Sequence, residues 1–64
     1  MNHEELAGAI IVEAARKFVT ARTALVEAKF VRKEPPGVTV PLTLAEGKAA
    51  DALRDAVAFL ERAV

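Results

Sequence analysis

Cysteine, tryptophan and tyrosine are all missing from this 64-residue chain. Without cysteine there is no disulfide, no thiolate metal site and no thiol nucleophile. That suits a cytoplasmic setting, where disulfides are rare. Aromatic residues make up 5%, only Phe18, Phe30 and Phe59, too few for base stacking or an aromatic-anchored interface. Nine Lys and Arg balance nine Asp and Glu, so no net field recruits nucleic acid or an anionic membrane. No apolar run approaches the length of a membrane span. The opening Met1-Asn2-His3-Glu4-Glu5 has no basic region ahead of an apolar one, as a signal peptide would. The three glycines are widely separated, which excludes a glycine-rich phosphate loop.

Hydrophobic residues, by contrast, reach 53%, which is not a disordered composition. They are organised around Leu6–Lys33, a stretch with no proline and one glycine, Gly8. Within it Ile11, Phe18 and Leu25 recur every seven residues, as do Val12, Val19 and Val26, and Ala14, Ala21 and Ala28. Three rows at one spacing predict a single long helix, about residues 3–33, with a broad apolar face. Asn2, with Glu5 three residues on, has capping-box spacing. Glu13 and Lys17 form a favourable i,i+4 pair. Alanines on the 14, 21, 28 row let backbones approach closely. The arc is wider than one coiled-coil seam needs, so one flank is expected to face the chain's own second helix and the other a partner chain.

Glu34-Pro35-Pro36-Gly37 ends this helix. Pro36-Gly37 suggests a type II turn with Gly37 at positive φ. Val38-Thr39-Val40 reads as a short extended segment, and Pro41 weakens it as a strand. The connection is thus expected to run over 34–43. Thr43 and Glu46 have capping-box spacing and predict a shorter second helix, about 44–63. Its apolar set is Ala45, Ala49, Leu53, Ala56, Val57, Leu60, Ala63 and Val64. Asp51 and Arg54 form an i,i+3 pair. Gly47 costs helix propensity and suggests close approach of another backbone.

The expected fold is all-α, one helical hairpin that dimerises into an antiparallel four-helix bundle. At this length apolar burial and ordering cost nearly cancel, and self-association is the remaining source of stability. A homo-oligomer follows, a dimer first and a tetramer second, with a different protein partner as a variant. The expected interface comprises Ile11, Ala14, Phe18, Ala21, Arg22, Leu25, Ala28, Leu53, Val57 and Leu60. Arg22 and Lys29 break the apolar arc. Their stems can be buried with their charges in water, Arg22 can pair with an acid of the second helix such as Asp55 or Glu61, or the two can hold an anion.

Little chemistry is available. His3 has no ligand partner on its helical face. Asp51 and Asp55 share a face but have Lys48 and Arg54 beside them, as solubilising charge does. No cofactor is implied. Lys29, Arg32 and Lys33 suit a helix C-terminus, although two copies in a dimer could touch phosphates. Function therefore divides into a structural, adaptor or regulatory protein acting through protein contacts, a nucleic-acid-associated regulator using Lys29, Arg32 and Lys33, and an anion-binding protein or enzyme with a site between subunits.

Overall fold

In a computed structural model, which describes residues 2–63, the chain is two helices folded into a hairpin. Helix α1 spans His3–Val26. Asn2 caps it from an extended backbone, its Oδ1 accepting from the Glu5 N–H at 2.8 Å, so one of the orphan donors of the first turn is satisfied. Glu4 and Glu5 sit in that first turn, where the helix dipole favours negative charge. The Glu13–Lys17 pair closes to 4.0 Å.

α1 runs on into a single π-wound turn, Glu27–Val31. The Arg32 N–H donates to the Glu27 carbonyl at 2.8 Å, five residues back, which is the π spacing. Lys33 then takes φ 51°, and the Glu34 N–H donates back to the Ala28 carbonyl at 2.8 Å. This is the logic of a Schellman stop, one residue wider because the last turn is wider. Ala28 stays fully buried while Phe30 and Val31 stand out in solvent.

The reversal differs from the sequence expectation. Gly37 has no positive φ; the chain turns at Lys33. The Pro35 carbonyl accepts from Val38 and Thr39 at 2.9 and 3.1 Å, so a new helix starts at once. Pro36 takes its first position, where the missing N–H is not needed. Helix α2 spans Pro36–Ala63. The connection contracts from the expected 34–43 to 32–35. The expected extended segment Val38–Val40 is helical, and α2, at 28 residues, nearly matches the 24 residues of α1 plus the 5 of its π turn instead of being clearly shorter. Val64, placed by sequence in the second helix's apolar set, lies outside the described residues.

Pro41 is carried inside α2. Thr43 does not cap the helix; its hydroxyl donates to the Thr39 carbonyl at 2.9 Å, one turn back. Tertiary packing explains why helix wins here over β-propensity and proline. Thr39, Leu42, Glu46, Ala49, Leu53, Ala56, Leu60 and Ala63 alternate three and four residues apart, and every one is shielded from solvent. On α1 the shielded row is Ala7, Ile11, Ala14, Phe18, Ala21, Leu25 and Ala28, at the same alternation. Both rows therefore follow a 3.5-residue alternation, and the two helices of the hairpin meet along them as a seam, with alanine at alternate positions of the α1 row. The result is a rod of 45 × 14 × 12 Å. Its length is what ~28 helical residues span at ~1.5 Å each.

Candidate interaction surface

The seam uses up most of the expected interface within one chain. Ala14 and Ala28 are buried; Ile11, Phe18, Ala21, Leu25, Leu53 and Leu60 are half-buried; Val57 is exposed. The fully shielded core consists of Ala7, Ala14, Ala28 and Ala56, and among the described residues no large side chain is completely buried. A two-helix rod cannot wrap its large side chains on all sides, and each of them keeps a solvent-facing edge.

Two exposed flanks remain. One carries Ile10, where a shallow groove is lined with it by Ala9, Glu13, Lys17 and Ala52. The other carries the valine row of α1, with Val12, Val19 and Val26 at 57%, 61% and 38% exposure. A second groove runs beside Val19 and Val26, with Arg22, Thr23 and Glu27. The surface of the whole hairpin is 4732 Å², against about 4,000 Å² for a compact monomer of this mass.

Arg22 does not pair with Asp55 or Glu61. Its Nη1 lies 3.5 Å from Oε2 of Glu46, a residue of the α2 seam that periodicity had assigned to the helix cap. The Arg22 side chain stays 61% exposed, so the pair contributes little to stability. The basic cluster at the turn is also tempered. Arg32 sits between Glu27 at 3.8 Å and Glu34 at 3.3 Å. Lys29 reaches over the Phe30 ring, 5.7 Å from its centroid, within cation–π range. Lys33 stands at the reversal itself. The three cations are thus brought to one end of the rod, interleaved with two carboxylates, and Arg22 is drawn toward α2. The acids beside Arg32 were visible in the sequence; their closure on it required the turn. Arg54 meets Asp51 at 3.3 Å, as its spacing implies.

Among the described residues no three His, Cys, Asp or Glu side chains gather as a metal site, and no helix is long and apolar enough to cross a membrane. No family model, curated protein or solved structure matches the chain. Its function is therefore argued from its surfaces.

Proposed function

We propose that the chain is a small structural or adaptor protein that works by self-association, two hairpins pairing into an antiparallel four-helix bundle. The observation that carries this reading is the core. Four alanines are its buried residues, while eleven large apolar side chains, from Leu6 to Val57, remain exposed. Burying a large aliphatic or aromatic side chain contributes roughly 1.5–3 kcal/mol, and in a lone hairpin that contribution is only partly collected. A second hairpin laid on an apolar flank supplies the missing cover and gives the geometry of a four-helix bundle.

Mass measured by sedimentation across a dilution series, with circular dichroism on the same samples, tests the proposal. A helical dimer or tetramer that dissociates and loses helix together on dilution is the expected result. A hairpin that stays fully helical as a monomer throughout overturns it. A chain that is unfolded alone and gains helix only with another protein moves the adaptor role to a hetero-oligomer.

A further inference from the structure

The outer face of α1 has an order that suits a copy of itself. Val12, Val19 and Val26 recur every seven residues along it, spanning ~21 Å of helix. On the rows flanking these valines, Gly8, Ala9, Ala15 and Arg16 come before Val19, and Arg22, Thr23, Lys29 and Phe30 come after. Resting on the self-association reading above, we infer that a second copy of this chain docks antiparallel on the valine face of α1, about a two-fold axis at Val19.

Such an axis sets Val19 against itself and Val12 against Val26 of the second copy. Ala15 comes level with Thr23, Gly8 with Phe30 and Ala9 with Lys29, while Arg16 comes level with Arg22. Small residues meet larger ones toward both ends of the contact, which suits the self-complementary patch of an isologous interface. Gly8 is compatible with the arrangement. A glycine inside a helix costs up to ~1 kcal/mol relative to alanine, and nothing in the hairpin lies within 4 Å of a Cβ built there. The space beside Gly8 is open, as it is beside Gly37 and Gly47, and leaves room for a second helix to pass close by. Phe30, 66% exposed at the far end, supplies a side chain to fill that space.

Charge points the same way. The first turn of α1 carries Glu4 and Glu5, and its far end carries Lys29, Arg32 and Lys33 against Glu27 and Glu34. Antiparallel pairing brings the acidic end beside the net basic one, whereas parallel pairing sets like ends together. Arg22 is tied back toward Glu46 at 3.5 Å, which draws its charge off the valine row.

The chain has no cysteine, so single introduced thiols give an unambiguous test. Val19→Cys, Val12→Cys and Val26→Cys are each made in the full chain and checked for unchanged helix content while reduced. They are then oxidised mildly at a concentration where the mass is that of the oligomer. Val19→Cys is expected to form a disulfide-linked dimer about tenfold faster than Val12→Cys alone, because facing thiols fall within bridging reach while residue 12 and its copy lie ~21 Å apart. An equimolar mixture of Val12→Cys and Val26→Cys is expected to cross-link as the mixed dimer. Self-linking of Val12→Cys as fast as Val19→Cys means parallel pairing and overturns the inference. An oligomer in which Val19→Cys does not link places the contact on another face; it overturns the inference and leaves self-association standing. A monomeric mass at every concentration overturns both.

Discussion

Lys33 is, among the described residues, the only non-glycine residue at positive φ, 51°. A Cβ in that region crowds the following carbonyl at a cost of roughly 1–2 kcal/mol. The cost is accepted because the π turn and the Glu34-to-Ala28 bond need a left-handed residue there. Lys33 is exposed, so its side chain returns little through packing. Lys33→Gly is expected to raise stability by about 1 kcal/mol, read as a higher midpoint in urea at fixed protein concentration. An unchanged or lower midpoint would mean that the lysine charge at the helix end, or the extra freedom of glycine in the unfolded chain, outweighs the relieved strain. At this scale the sequence was readable where partners are close in the chain. Asn2 with Glu5, Glu13 with Lys17, and Asp51 with Arg54 are set by helical spacing alone, and all three pairs form. The partner of Arg22 was not readable, because Glu46 lies 24 residues away and is selected by hairpin register.

α2 is where element-level signals conflict. Two prolines, a glycine and three β-branched residues at 36–41 argue against helix, and Thr43 with Glu46 imitates a helix start. Pro36 proves compatible because it occupies the first helical position. Val38, Thr39 and Val40 prove compatible because their propensity deficit is a few tenths of a kcal/mol each, less than the burial gained by extending the seam through Thr39 and Leu42. The clue was only partly present in the sequence, since the three-and-four alternation of Leu53, Ala56, Leu60 and Ala63 extends backwards through Ala49 and Leu42 but is interrupted by the charged Glu46 before reaching Thr39. Pro41 is the unresolved cost. It has no N–H to offer the Gly37 carbonyl, and its ring presses on that carbonyl. Its side is exposed, so it contributes little packing in return. Pro41→Ala is expected to stabilise the chain by about 1–3 kcal/mol, near the upper figure if the helix is strained there, and to deepen the helical signal at 222 nm. A destabilised variant would show that the restriction proline places on the unfolded chain is the larger effect.

At the scale of the whole molecule, the hairpin was legible and its completion was not. Three rows of seven-residue spacing specify a helix wider in its apolar arc than one neighbour can cover, but sequence alone does not say which row meets α2. The structure assigns the alanine row and the Ile11, Phe18, Leu25 row to the seam and leaves the valines outside. A rod 45 Å long and 14 Å across at most has no interior for a large side chain. If folding is completed only by a second copy, stability must depend on concentration. For a two-state dimer each tenfold rise in concentration adds about 1.4 kcal/mol. With an unfolding entropy of ~2.1 cal/mol/K per residue summed over both chains, the thermal midpoint is expected to rise by about 5 °C per tenfold increase. Calorimetry over two decades of concentration resolves a slope of that size. A flat midpoint would show that alanine-to-alanine packing of α1 on α2 holds the fold unaided. The exposed valines would then be surface held ready for a different protein, since their burial would not be needed to keep the hairpin closed.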